Sequence, residues 1–400
     1  MFSSRPLAHT TSRRRFLSSS SAGAVGLAAL GFGVSISLGS APRSALAQTG
    51  PWAGGDVPAA SRSSRQMGVA ARAFLNSLDA TQLSTAWYQD LGDQARTKWS
   101  NFPAGASPRA GIALGNLSEP QRVLMHDLLR ASTSTQGYHK LAGAMQADDA
   151  LGSLSNGNPL FSSANYYTSV FGTPEDANWA WMLTGHHMAG GFTVSADRTA
   201  FTPMFTGAQP LMIPSGLQAG WQVLPQDGWR GIELFSALSA DQQAAATIGT
   251  DAPNNVLAGP GRQQSLSSYQ GVPTSQMNDV QQRLLWVLVQ EFVGNADFDA
   301  AETQLALVQQ GWADTYFSWI GPPPEPNSRF YYRVHGPRVL IEYDVVDSLT
   351  NQGGHVHAII RDPINDYGMD WLGLHYQEAS GPGGGGPGGP GGPGGGQPRP

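Results

Sequence analysis

The stretch VLIEYDVVDSLTNQGGHVHAII, residues 339–360, carries the clearest strand pattern in the chain. From Val339 to Val346 the residues alternate, so that Glu342 and Asp344 share one face while apolar side chains occupy the other. DSLTNQGG reads as a connection, and His355–Ile360 returns as a second strand. The pattern predicts a β-hairpin that places both carboxylates beside the returning strand.

His355 and His357 are expected on one side of that returning strand, because side chains two residues apart share a face. Two imidazoles on one face can bind a single ion. Glu342 and Asp344 are then candidates for further ligands, for acceptors of the ring N–H groups, or for a general base. The alternative is a buried histidine pair that only forms hydrogen bonds.

A second histidine cluster is TGHHMAGG, residues 184–191. Neighbouring residues of a regular strand face opposite sides, so His186 and His187 can both reach one ion only where the backbone is irregular. Gly185 and the Gly190-Gly191 pair allow such irregularity. The expected division is one histidine in the site and one in packing or hydrogen bonding.

The third cluster is RDPINDYGMDWLGLHY, residues 361–376. Arg361 joins the two carboxylates as a candidate catalytic residue, the alternative being a structural ion pair with Asp362. His375 is a further candidate ligand. The candidate metal ligands are therefore His186, His187, His355, His357 and His375, and the candidate catalytic residues are Glu342, Asp344 and Arg361.

The chain of 400 residues contains no cysteine, so any metal ion must use nitrogen and oxygen ligands. Such ligands suit a divalent transition metal, and the sequence does not choose among Zn, Cu, Fe, Ni and Mn. The sequence shows no Gly-x-Ser-x-Gly elbow, no P-loop and no dinucleotide fingerprint after a strand. These observations favour metal chemistry over the common nucleophile and nucleotide classes.

The N-terminal residues have the pattern of an export signal. SRRRFL (Ser12–Leu17) precedes a moderately apolar run, and Ala45-Leu46-Ala47 is a small-x-small cleavage pattern. Paired arginines followed by Phe and Leu match the twin-arginine signal. Residues 1–47 are therefore predicted to be a signal peptide that engages the twin-arginine translocase. The mature protein is expected in the periplasm or secreted, with no stable membrane anchor.

Cleavage after residue 47 would change the charge of the protein. The removed segment holds five arginines and no acidic residue, so the formal net charge would fall from −6 to −11. A protein this acidic is not expected to bind nucleic acid.

The rest of the chain predicts one α+β domain, with helices packed on a mainly antiparallel sheet. Residues 48–65 read as a flexible linker, 66–378 as the globular domain and 379–400 as a disordered tail rich in Gly and Pro. The sequence shows no convincing internal repeat. Helices are predicted at 66–78, 80–99, from Ser118 through Leu128, and at 137–151, 240–248, 274–293 and 299–310, and strands around 179–194.

The order and spacing of several segments resemble the DUF3500 family of bacterial and fungal proteins. The resemblance covers about residues 66–378 and implies a shared fold without an established reaction or cofactor. It is carried by RAGIALGNLSEPQ (109–121), YYTSVFGTP (166–174), WAWMLTGHHMAGGFTV (179–194), PMFTGAQP (203–210), GWADTYFSWIG (311–321), FYYRVHGPRVLIEYD (330–344), HVHAIIRDPINDYG (355–368) and LHY (374–376).

The residues therefore support three functional hypotheses. The favoured one is an exported metal-dependent enzyme acting on a small molecule, by hydrolysis or, with Fe or Cu, by oxidation. The second is a non-catalytic metal-binding protein that uses the same histidines. The third is a protein that binds a small ligand or carbohydrate through an aromatic surface made of Trp179, Trp181, Trp312, Trp319 and Trp371.

Overall fold

The computed structural model describes residues 61–324, 328–348 and 354–379. The predicted signal peptide, residues 1–47, lies outside the described residues, as do most of the predicted linker and residues 380–400. Helix α1 (Ser61–Asn76) begins inside the segment predicted as a linker. The first described helix thus starts before residue 66, the predicted start of the globular domain.

A sheet of thirteen strands runs through the described residues. The strands are β1 (Trp87–Tyr88), β2 (Ile112–Ala113), β3 (Tyr167–Gly172), β4 (Asn178–Gly185), β5 (Met188–Ser195), β6 (Arg198–Ala200), β7 (Met204–Ala208), β8 (Thr247–Gly249), β9 (Val272–Pro273), β10 (Tyr316–Ile320), β11 (Tyr331–Gly336), β12 (Val339–Val345) and β13 (Val356–Arg361). Their order is β1-β3-β4-β5-β7-β13-β12-β11-β10-β8, with β2, β6 and β9 added at the sides. The pairs β1–β3 and β8–β10 are parallel and the other described pairs are antiparallel. The expected α+β class is confirmed.

Helices supply much of the main hydrophobic core. The remaining helices are α2 (Ala80–Ala86), α3 (Glu119–Ser132), α4 (Thr135–Leu154), α5 (Asp227–Ala237), α6 (Ala240–Ala246), α7 (Asp279–Val293), α8 (Phe298–Gln310) and α9 (Met369–Ala379). Helices α1, α3, α4, α5 and α7 all contribute buried side chains to this core. Among the described residues, none of these helices combines the length and apolar character needed to cross a bilayer.

The central strands alternate between two hydrophobic clusters. Ala358 and Ile360 of β13 belong to the main core, whereas Ile359 between them packs in a smaller cluster with Trp99 and Val256. Because alternate side chains of a strand share a face, His357 lies on the side of the smaller cluster. Connecting segments rather than long helices supply the members of the smaller cluster that lie outside the strands.

The described residues form two halves with the same order of elements. Helices α1 to α4 and strands β1 to β5 and β7 correspond to helices α5 to α8 and strands β8 to β13, with β6 as an addition in the first half. Strands β7 and β13 pair at the middle of the sheet and join the halves. The expectation of no internal repeat is therefore wrong at the level of structure.

A reciprocal glutamine pair recurs in both halves and marks the duplication. Gln82 and Gln121 exchange amide hydrogen bonds across 39 residues, and Gln242 and Gln281 do the same across 39 residues. Each glutamine also caps the start of its own helix through its side-chain oxygen. The same connection between two helices is therefore made twice, from α2 to α3 and from α6 to α7.

Two glycines occupy equivalent positions after the first long loop of each half. Gly111 and Gly271 have φ values of +94° and +100°, a region that residues with a Cβ rarely adopt. A Cβ at either position would collide with a backbone carbonyl oxygen, that of Thr168 or that of Phe317. Both positions require glycine for the same physical reason.

Two predicted helices end earlier than the hydrophobic pattern indicated. The helix predicted at 80–99 ends at Ala86, and the one predicted at 240–248 ends at Ala246. In each case the chain continues directly into a short edge strand that pairs parallel with the sheet. Pairing with a strand distant in the sequence therefore overrides the helical spacing of the apolar residues.

The helix predicted from 274 begins instead at Asp279, where the Asn278 side chain accepts hydrogen bonds from two N–H groups of the first turn.

Replacing Gln281 with alanine should lower the free energy of unfolding by about 1–3 kcal/mol, because the hydrogen bonds of this buried side chain are lost. Its amide donates to the Ala237 carbonyl and to Gln242. The measurement is urea unfolding followed by circular dichroism. The matched control, Gln290→Ala on the exposed side of α7, should change stability by no more than about 0.5 kcal/mol. Equal effects of the two variants would contradict the role given to the glutamine pair.

Candidate metal centre

His186 and His187 form the two-residue turn between strands β4 and β5. The strands pair as far as Gly185 and Met188, so the turn is tight. His187 has φ of +61°, in the left-handed region, and this irregular backbone brings the two imidazole rings to one side, with centroids 3.6 Å apart. Gly185 is needed before the turn because a Cβ there would collide with the Tyr166 ring.

Three histidines converge through their Nε2 atoms. The His187 and His355 Nε2 atoms are 2.9 Å apart, and those of His355 and His357 are 3.1 Å apart. His357 lies in β13 and His355 directly before it, so that the two share a face as the sequence predicted. The nitrogen atoms of the three side chains lie within the mutual range of ligands to one metal ion.

The protons of His355 and His357 are fixed on the opposite ring nitrogens. His355 Nδ1 lies 2.7 Å from the backbone carbonyl oxygen of Asp347, which can only accept a hydrogen bond. His357 Nδ1 lies 2.9 Å from Asn255 Oδ1, an oxygen that also accepts the N–H of Val256. Both Nδ1 atoms must therefore donate.

Both Nε2 atoms consequently hold lone pairs that face each other at 3.1 Å with no proton between them. Such an arrangement is repulsive unless a positive charge lies between the nitrogens. Hydrogen bonds from Nδ1 to a carbonyl or amide oxygen are also the usual way in which proteins orient metal-binding histidines. The three histidines therefore have a geometry that could hold a cation.

Burial keeps these imidazoles neutral. Desolvation lowers the pKa of His355 to about 4 and places the pKa values of His187 and His357 well below the ordinary range. A neutral imidazole is the form that binds metal, so the site needs no deprotonation near pH 7.

Asp148 of helix α4 completes the cluster and was missed by the sequence analysis. Its Oδ1 lies 2.7 Å from His186 Nδ1 and 3.5 Å from His187 Nδ1. Its Oδ2 accepts a hydrogen bond of 2.8 Å from the Tyr166 hydroxyl. The carboxylate is fully buried, which raises its pKa. The only sequence signal is a pair of aspartates, Asp148 and Asp149, inside an otherwise small and apolar stretch of helix.

Asn255 accepts the hydrogen bond that orients His357, and the sequence did not predict this role. It belongs to the connecting segment after β8, 102 residues from the histidine that it contacts. A second asparagine, Asn101, donates to the same Oδ1 atom from the other half of the chain. No periodic pattern identifies such a residue, because the contact depends on how two loops meet over the sheet.

Asp344 and Glu342 share the predicted face of β12 but have different surroundings. Glu342 accepts the N–H groups of Leu257 and Ala258 and the hydroxyl of Tyr331. Asp344 pairs with His357 in the strand register, is fully buried, and neither of its oxygens has a hydrogen-bond partner among the described residues. Burial raises its pKa to about 8. The Asp344 carboxyl group is therefore protonated more readily than that of an exposed aspartate.

Arg361 and Asp362, from the third sequence cluster, form ion pairs of their own. Arg361 pairs with Asp366 and donates to the carbonyls of Ala258 and Gly259, while Asp362 pairs instead with Arg338. The suggested pairing of Arg361 with Asp362 is therefore wrong. His375 is part of helix α9, but its side chain is outside the part of the chain that the structure describes.

Three imidazoles suit Zn²⁺, Cu, Fe or Ni, and disfavour Mg²⁺ and Ca²⁺, which prefer oxygen. A set of three protein ligands leaves one position for water or substrate at a tetrahedral ion. His355 is partly exposed, whereas His187 and His357 are 1% and 6% exposed. Of the three histidines, His355 is therefore the one most accessible to solvent.

The model of a family described as "Protein of unknown function (DUF3500)" matches residues 60–369. The chain belongs to this family, as its motifs indicated. No curated protein and no solved structure matches the chain. The three convergent histidines, His186 and Asp148 all lie inside the matched segment, whereas His375 lies beyond it.

Natively purified protein should contain a transition metal that a His355→Ala/His357→Ala variant lacks, because the variant keeps only one of the three convergent nitrogens. Elemental analysis measures the ion, and circular dichroism checks folding. His139→Ala, which changes an exposed histidine outside the cluster, should keep the full metal content. An equal metal content in a folded double variant would place the ion elsewhere.

Asn255→Ala should weaken metal affinity about 10–100-fold, the usual effect of losing a partner that orients a ligand. The histidine remains, but its ring and tautomer are no longer fixed by the Asn255 oxygen. Competition with a chromogenic chelator gives the affinity. An unchanged dissociation constant would show that the hydrogen bond to His357 does not organise the site.

Proposed function

We propose that this member of the DUF3500 family is an exported metal-dependent hydrolase that acts on a small molecule. The observation that carries the proposal is the convergence of three neutral imidazole nitrogens, two of them with lone pairs fixed toward each other. His187, His355 and His357 would hold the ion. When bound, Zn²⁺ polarises a substrate carbonyl or phosphoryl group and makes water acidic near neutral pH.

Asp344 is the residue proposed to move the proton. Residues directly opposite each other on neighbouring antiparallel strands have Cβ atoms about 4.5–5.5 Å apart, which brings its carboxyl group next to His357. Above its pKa of about 8, the Asp344 carboxylate, which no described residue engages by a hydrogen bond, would accept a proton from a water molecule and return it to the leaving group. Glu342 is less suited, because its oxygens already hold the segment at residues 257–258 in place.

Oxidation is the rival chemistry at the same residues, since three imidazoles also bind Fe and Cu. The identity of the native ion separates the two: Zn²⁺ supports hydrolysis and no redox step. A non-catalytic metal-binding protein is the main alternative of another class. Such a protein would contain its full amount of metal but would not turn over any probe substrate.

A carbohydrate site built from the tryptophans has less support. Trp179, Trp181 and Trp319 are at most 1% exposed, and they pack in the main core. Trp371 is also buried, in a small cluster with Ala200 and Leu307. Aromatic side chains that stack on a sugar need an accessible face, which these residues do not offer.

The proposal includes export through the twin-arginine translocase, because the arginine pair at Arg13-Arg14 and the following apolar run fit that route. This route carries folded proteins, so the ion could be loaded before export to the periplasm or the medium. Fusion of residues 1–47 to a folded reporter tests this step, with Arg13→Lys/Arg14→Lys as the control that should abolish export.

Asp344→Asn should keep the metal and lower the rate of hydrolysis about 10²–10⁴-fold, as expected for loss of a general base. The test uses the zinc-loaded protein with p-nitrophenyl acetate and p-nitrophenyl phosphate as probes. His139→Ala should retain wild-type rates. A metal-loaded wild type without turnover of any probe would support the carrier alternative, and an unchanged rate in Asp344→Asn would remove Asp344 from the mechanism.

A further inference from the structure

We propose a second cation site that shares His187 with the first, so that its imidazole bridges two metal ions. The second site consists of Asp148 Oδ1, His186 Nδ1 and His187 Nδ1, all on residues no more than 6% exposed. This inference rests on the proposed three-histidine centre and extends it to a dinuclear one.

The donor atoms are spaced as ligands to one ion. His186 Nδ1 and His187 Nδ1 lie 2.7 Å and 3.5 Å from the same oxygen, Asp148 Oδ1. Ligands about 2.0–2.2 Å from an ion and at right angles to tetrahedral angles are themselves about 3 Å apart. The three atoms therefore need only small shifts to surround a cation.

The surrounding residues aim these atoms at a common point. The Tyr166 hydroxyl contacts both Asp148 Oδ2 and the backbone carbonyl of His186, so it ties the carboxylate to the histidine turn. The other carboxylate oxygen of Asp148, Oδ1, faces the two imidazoles. The positive φ of His187 brings the His186 and His187 rings together, with centroids 3.6 Å apart and planes 30° apart, and both Nδ1 atoms lie near Asp148 Oδ1.

His187 Nδ1 is the atom that argues for a second ion. If Nε2 of His187 binds the first ion, the ring proton must sit on Nδ1. That atom is buried and has no hydrogen-bond partner among the residues that the structure describes, since Asp148 Oδ1 is 3.5 Å away and already contacts His186 Nδ1. A buried N–H group without an acceptor is unfavourable, and a cation at this position removes the need for one.

The charges balance when the second ion binds. His187 releases its Nδ1 proton to solvent and becomes an imidazolate, while the proton of His186 resides on Nε2. The imidazolate and the Asp148 carboxylate together carry two negative charges, which offset one divalent cation in a buried place. The competing arrangement is a hydrogen bond from His186 Nδ1 to Asp148 that only supports the first site.

Copper(II) loading distinguishes the two arrangements, because copper ions joined by an imidazolate couple magnetically. The protein is loaded with Cu²⁺, desalted and analysed for copper per chain and for integrated electron paramagnetic resonance intensity. Wild type should hold two copper ions with an intensity well below the copper content. His186→Ala and Asp148→Asn should each hold one copper ion with full intensity, and His139→Ala should behave as wild type.

One copper ion with full intensity in wild type and in both variants would overturn the second site and leave the three-histidine site intact. Two ions in wild type that persist in both variants would also overturn it. Absence of bound copper in wild type would overturn both sites. Two variants are used so that a folding defect in one of them, detected by circular dichroism, leaves the other as the test.

Discussion

The constraint on which the site depends is the repulsion between imidazole lone pairs that the protein holds together. Backbone and amide oxygens take the Nδ1 protons of His355 and His357, so their Nε2 atoms face each other as acceptors. A buried arrangement of this kind is unfavourable without a compensating charge. The three histidines thus form a group that could hold a metal ion.

The duplicated architecture explains where this site lies. Strands β7 and β13 pair at the middle of the sheet, where the two halves meet. The first half contributes the His186-His187 turn and Asp148, and the second contributes His355 and His357. The corresponding turn of the second half, between β11 and β12, carries Pro337 and Arg338, and Arg338 forms an ion pair with Asp362. The turn of the first half thus carries candidate metal ligands, whereas the equivalent turn of the second half carries a residue of an ion pair.

Local patterns predicted the elements but not the contacts between them. Strict alternation from Val339 onward gave the hairpin and the shared face of His355 and His357, because strand geometry fixes those directions locally. The role of Asp148 depends on a contact across 38 residues, and that of Asn255 on one across 102. The repeat escaped detection because it persists in the order of elements and in a few residues, such as the glutamine pairs, rather than in continuous sequence similarity.

X-ray absorption spectroscopy of the natively purified protein tests the three-histidine site itself, since it reports the ligands of any bound ion. We expect a transition metal bound by at least three imidazole nitrogens at about 2.0–2.1 Å. A protein without metal, or an ion bound only by oxygen, would contradict it.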